Sequence, residues 1–226
     1  NLERIDWIQQ YNNFEDVALP LHMMKKQYNA TYTQFVELLI EEPKSCIREA
    51  INNNMPGNEK FILSFTAMII LKMIGISNEF LSEHNVYVTE STVMQIVRDT
   101  SEMIAHYAND SVTSMGFYEG KPYRIDTDED TKDKWIKEPG ELRNFVEGIP
   151  SVVCKKDWKN SMFDQLNMTE ILGTPDYDAI SIGINDNYTV IGMEAMITAL
   201  ATNNEINAEV VSVTNWLIST NIDVIS

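Results

Sequence analysis

Basic residues are scarce in this sequence. Its 226 residues hold 17 Lys and Arg against 34 Asp and Glu, which gives a formal net charge of −17 at pH 7. Proteins that bind nucleic acid without sequence preference draw much of their affinity from Lys and Arg at the phosphates. The composition therefore disfavours such binding by this chain alone, and its one basic cluster (Lys155, Lys156 and Lys159) is typical of a solvated surface.

Cysteine is equally sparse, with only Cys46 and Cys154 in the chain. The two lie far apart and have no His or Cys at metal-ligand spacing, which argues against a disulfide framework or a zinc site. The nine glycines include no set with the spacing of a phosphate-binding loop. Nucleotide hydrolysis by a phosphate-binding loop is therefore excluded. The two cysteines are expected to be reduced and buried.

Long apolar runs are missing as well. The longest, from Phe61 to Leu71, is interrupted by Ser64 and Thr66 and is shorter than the eighteen or so residues that a membrane helix needs. No secretory signal follows Asn1, and the chain is expected to be a piece of a larger protein. We therefore expect a cytoplasmic protein that does not enter the membrane.

Residues 1–55 show helical spacing of apolar side chains and predict a small helical module. Its second helix is predicted over residues 32–42, with Thr31 as the capping residue. Acidic residues such as Glu37 lie on the polar face of that helix and would repel phosphates, so the module is interpreted as a packing or docking unit and not as a DNA reader. A cluster of Asn, Pro and Gly at residues 52–58 predicts a linker.

Residues 60–226 alternate between short apolar strands and helical segments. Strands are predicted at 61–63, 86–88, 151–154, 189–192 and 210–213, with helices that include 66–73, 89–98, 177–184 and 195–201. A β-hairpin is predicted across residues 115–123, followed by a solvated acidic helix start at 126–130. The alternation predicts an α/β domain with a parallel sheet flanked by helices, preceded by the helical module.

Two acids stand where the strands of such a sheet would end. Asp178 is predicted to open a helix, and Glu194 follows the strand at 189–192. In a parallel sheet such positions converge at the carboxyl edge, where sites form. Either acid could instead simply cap a helix N-terminus, where a carboxylate is favoured. Asp176 and Asp186 are interpreted as solvated loop acids.

The segment from Asp178 to Glu194 resembles the last two acidic motifs of PIN nuclease domains. Residues 61–101 resemble the opening of the same family, with a strand that leads into a Thr-containing helix. The resemblance covers about 160 residues. The inserted hairpin and the preceding helical module are similar to a PIN subgroup found at the ends of large repeat-containing bacterial proteins.

The resemblance implies a metal site. PIN nucleases gather three or four carboxylates around Mg²⁺ or Mn²⁺, which binds the scissile phosphate and activates a water. Asp178 and Glu194 match the catalytic, metal-binding acids of the family. Neutral Ser64 and Gln95 stand where two further acids are expected, and a shifted alignment would bring in Glu90 or Asp99.

Three hypotheses follow. The first is a PIN-like domain with a depleted metal site that acts as an interaction or regulatory module of a larger protein. The second is a divalent-metal-dependent ribonuclease or DNase in which Asp178 and Glu194 hold the ion, with RNA as the partner. The third is an unrelated α/β ligand-binding domain.

Overall fold

The computed structural model describes residues 21–25, 30–41, 58–108, 113–118, 121–126, 129–155, 168–193, 197 and 208–220. Within these residues the strands are β1 (Phe61–Leu63), β2 (Val86–Thr89), β3 (Thr113–Tyr118), β4 (Lys121–Asp126), β5 (Ser151–Val152), β6 (Thr189–Gly192) and β7 (Val210–Ser212). The helices are α1 (Leu21–Lys25), α2 (Tyr32–Glu41), α3 (Phe65–Met73), α4 (Asn78–Glu83), α5 (Glu90–Ala108), α6 (Glu129–Glu147), α7 (Met168–Leu172), α8 (Thr174–Asp186) and α9 (Val213–Ser219).

Five strands form one sheet in the order β5-β2-β1-β6-β7, and every pairing in it is parallel. The predicted α/β architecture with a parallel sheet flanked by helices is therefore confirmed. Three strand ends differ from the prediction: β2 extends to Thr89, β5 stops at Val152, and β7 stops at Ser212. Ser212 accepts a hydrogen bond from the backbone N–H of Asn215 and so begins α9, which explains the early end of β7.

The predicted hairpin is present as the antiparallel pair β3–β4, in which Tyr118 is opposite Lys121. The acidic run after it leads into α6, whose first residues, Glu129 and Asp130, are exposed. That agrees with the predicted solvated helix start. The predicted helix at 195–201 lies outside the described residues except for Ile197.

The sheet buries both of its faces, as a parallel sheet requires. Phe61 and Leu63 of β1 point into one cluster, with α3 and α9, whereas Ile62 points into the other, with α8 and Val190. The near-continuous apolar strands of the sequence follow from this two-sided burial. In the described part of the chain, no helix is both long and apolar enough to cross a bilayer.

Helix α2 joins the first of these clusters through Tyr32, Phe35 and Val36. Its start is stabilised by a reciprocal pair of bonds, because Thr31 Oγ1 accepts from the Gln34 N–H at 3.2 Å and Gln34 Oε1 accepts from the Thr31 N–H at 3.0 Å. The capping role predicted for Thr31 is thus confirmed, in the form of a capping box. The predicted boundary between residues 55 and 60 falls largely in 42–57, outside the described residues.

Two glycines inside helices provide a matched test of the packing between α8 and β6. A Cβ on Gly183 would lie 2.8 Å from Val190 Cγ2, whereas a Cβ on Gly140 would meet nothing within 4 Å. We expect Gly183→Ala to lower the free energy of unfolding by about 1–3 kcal/mol through overpacking. Gly140→Ala should raise it by about 1 kcal/mol through helix propensity. Urea titration of both variants checks the prediction, and equal shifts of the same sign would contradict it.

Candidate functional site at the carboxyl edge of the sheet

The connections of the sheet diverge at the crevice between β1 and β6. From β1 the chain proceeds to β2 and β5 on one side, and from β6 it proceeds to β7 on the other. Ligands of open α/β sheets bind at the carboxyl edge beside such a switch point. Ser64, directly after β1, lies in this crevice, because its backbone N–H donates to the Ile191 carbonyl at 2.9 Å.

Ser64 is fully buried and has the backbone conformation of a helix N-cap. Its hydroxyl accepts a hydrogen bond from the Ala67 N–H at 3.2 Å, and its carbonyl accepts from the Met68 N–H at 3.0 Å. Ser64 was predicted to lie at the end of the first strand, and that position is confirmed. Its hydroxyl is engaged in beginning α3, so metal coordination would compete with the cap.

Asp176 contacts the same helix terminus. It lies in the first turn of α8, is 1% exposed, and its Oδ1 accepts from the Phe65 N–H at 2.7 Å. A carboxylate at this point satisfies an N–H that the helix cannot use and opposes the positive end of the helix dipole. The interpretation of Asp176 as a solvated loop acid was therefore wrong, because its carboxylate crosses to another helix instead of facing water.

Asp178 is the fifth residue of α8, which begins at Thr174 and not, as predicted, near Asp178. Its Cα lies about 5.5 Å from that of Asp176, by helix geometry. The residue is only 8% exposed, yet its Oδ1 has no hydrogen-bond partner. A buried carboxylate oxygen without a partner is costly, and it is explained by local strain, by a catalytic role, or by a bound water or ion.

Gln95 lies on α5 and contacts Asp99. Its Nε2 donates to Asp99 Oδ1 at 2.7 Å, while its Oε1 accepts from Arg98 at 2.6 Å. Asp99 is 2% exposed, and its Oδ2 accepts from both the N–H and the hydroxyl of Thr33 at 2.9 Å. Gln95 thus positions a carboxylate that caps α2. Asp99, the alternative from a shifted alignment, has both oxygens occupied, and Glu90 is exposed at the start of α5.

Glu194 lies outside the described residues, one position beyond Met193. The expected approach of its carboxyl group to that of Asp178 stays a prediction. Of the four metal-site residues expected from the sequence, Ser64 directly follows β1, and Asp178 lies on α8, a helix that contacts β1. Gln95 instead bonds to Asp99, where α5 contacts the start of α2.

Hydroxyl side chains follow two further strands at this edge. Thr89 ends β2, where its Oγ1 accepts from the Thr92 N–H at 2.9 Å and lies 2.8 Å from Thr92 Oγ1. Ser212 ends β7 and caps α9. These two caps were not predicted from the sequence, although a Ser or Thr just before a helix is a recognisable signal.

The donor atoms fit a divalent ion only in part. Within the residues that the structure describes, no group of three or more His, Cys, Asp and Glu side chains could hold a metal ion. Asp178 offers one unpartnered carboxylate oxygen, whereas Asp176 and Ser64 bond to backbone N–H groups of α3.

Comparisons of the chain with protein-family models, with curated proteins and with solved structures find no match.

Proposed function

We propose that this chain is a PIN-like domain with a depleted metal site, and that it acts as an interaction or regulatory module of a larger bacterial protein. The arrangement at the end of β1 carries the proposal. There the side chain that follows the strand is the neutral Ser64, and the adjacent buried acid, Asp176, bonds to the Phe65 N–H. The groups nearest the crevice thus stabilise the fold.

Charge supports the same proposal. The formal net charge of −17 opposes the approach of polyanions such as RNA. Hydrolysis of a phosphodiester by a metal requires an ion that both binds the phosphate and activates a water. With neutral Ser64 and Gln95 in place of two acids, such an ion would be held weakly. A cytoplasmic location and contacts with other domains of the parent protein belong to this proposal.

A divalent-metal-dependent ribonuclease is the second candidate, and one observation favours it. Asp178 keeps a buried carboxylate oxygen without a hydrogen-bond partner, as expected of a residue retained to bind Mg²⁺ or Mn²⁺. Glu194 would supply the second ligand in this candidate, and Ser64 could contribute an oxygen only by giving up its bond with Ala67.

An assay of labelled single-stranded RNA and DNA separates the two candidates. We expect no cleavage above a buffer control with millimolar Mg²⁺, and at most weak cleavage with Mn²⁺, because two of the usual carboxylates are missing. The chain is compared with Asp178→Asn and Glu194→Gln, and EDTA is the metal-removal control. Strong Mn²⁺-dependent cleavage that either substitution abolishes would replace our proposal with the nuclease.

A further inference from the structure

A cavity of about 410 Å³ lies between α2, α3, α5 and α6. Its wall on α3 is formed by Lys72 and Met73 at the carboxyl end of that helix, whereas Ser64 and the sheet edge adjoin the other end. The cavity is therefore separate from the crevice between β1 and β6. Its volume is within the range of pockets that bind small ligands.

Two aromatic rings line the cavity. The rings of Tyr107 and Trp135 have centroids 5.2 Å apart and planes inclined by 38°. The Tyr107 hydroxyl accepts a hydrogen bond from Gln34 Nε2 at 3.2 Å, which holds the ring in place relative to α2. Each of these side chains is half-buried, so the rings combine a fixed position with access to solvent.

The cavity is lined by two carboxylates, those of Glu37 and Glu138, and by the ammonium group of Lys72. The Glu138 side chain is 51% exposed, and its contact with Lys134 is a surface ion pair of 3.5 Å, which contributes little to stability. The net charge of the whole chain, −17, would also attract a basic partner.

We propose that this cavity binds an arginine side chain from a basic segment of a partner protein. A guanidinium stacks on Trp and Tyr rings and donates in its plane to carboxylate and carbonyl oxygens. Trp135 and Glu138 provide these two kinds of contact, and Met73, which is 40% exposed, provides an apolar surface for the methylene stem. The inference rests on the proposed interaction role and identifies the chemistry of the partner.

Fluorescence anisotropy of a short labelled peptide tests this inference on the full chain. The peptide carries one arginine between aliphatic residues, and matched peptides carry citrulline or lysine at that position. We expect about tenfold weaker binding of the citrulline peptide, because it loses the charge and keeps the shape. The lysine peptide should bind with intermediate affinity, and Trp135→Ala should weaken arginine binding by about tenfold.

A pair of exposed glutamates on α6 serves as the control. Glu138→Gln removes a carboxylate of the cavity, whereas Glu141→Gln removes one outside it. Both side chains are 51% exposed and pair with a lysine four residues earlier, so the two changes should alter stability equally. We expect only Glu138→Gln to weaken arginine binding, by about threefold to tenfold.

Equal affinities for the arginine and citrulline peptides, equal effects of the two glutamine variants, or no binding at all would overturn the inference. The readout does not depend on the cleavage assay. A chain that cleaves RNA with Mn²⁺ through Asp178 refutes the proposed function, whereas a chain that neither cleaves nor discriminates the peptides refutes only the arginine site.

Discussion

Asp176→Ala is expected to lower the free energy of unfolding by about 2–4 kcal/mol, whereas Asp178→Ala on the same helix should raise it by about 0.5–1.5 kcal/mol. The first change removes the carboxylate that accepts from the Phe65 N–H. It thereby leaves a buried donor unsatisfied and removes a charge from the start of α3. The second removes a buried carboxylate oxygen that has no partner and introduces a better helix former.

Urea titrations followed by circular dichroism measure both effects, with Asp186→Ala as the control. Asp186 is the last residue of α8 and is exposed, so its replacement should change stability by less than about 0.5 kcal/mol. A loss of stability from Asp178→Ala as large as that from Asp176→Ala would mean that the Asp178 carboxylate is structural. The ribonuclease candidate would then lose the observation that favours it.

The second large effect is expected at the junction of α2 and α5. Asp99→Ala should lower the free energy of unfolding by about 2–4 kcal/mol, because the Asp99 carboxylate accepts two bonds from Thr33 and is 2% exposed. Hydrogen bonds to a charged group contribute more than neutral ones, and their removal leaves the buried Thr33 N–H without its partner.

Arg98→Ala is the matched control for this prediction. Its guanidinium lies 3.8 Å from Asp99, but the side chain is 65% exposed, so we expect a change of less than about 0.5 kcal/mol. Gln95→Ala should fall between the two, since it removes one bond to Asp99. Thermal unfolding of the three variants measures their order of stability. An Asp99→Ala variant as stable as the parent would refute the capping role of Asp99.

The sheet could be predicted from the sequence because local patterns determine its strands. The runs at 61–63, 86–88 and 189–192 are short and largely apolar without alternation, which is typical of strands buried on both faces. Helix α4 was not anticipated. It has six residues, with Leu81 as its buried side chain, and a segment so short shows too few apolar positions for a helical period to be recognised.

The site was harder to predict, because its interactions join distant segments. Asp176 and Phe65 are 111 residues apart, and Asp99 and Thr33 are 66 apart. No local pattern distinguishes an acid that caps another helix from one that faces water. Ser64 was placed correctly, since its position follows from the strand before it. The role of Gln95 depends on Asp99, one turn away, whose own partner lies on α2.

The strand order of the sheet also determines when, during synthesis, the central strand β1 can pair with a strand on each side. One neighbour of β1 is β2, which follows closely, but the other is β6, about 125 residues later in the chain. Synthesis of that length takes on the order of 10 s. Until then the edge of β1 that pairs with β6 lacks that strand, and an open apolar edge is a template for pairing with other chains. We therefore expect the nascent chain to be open to such pairing during this interval.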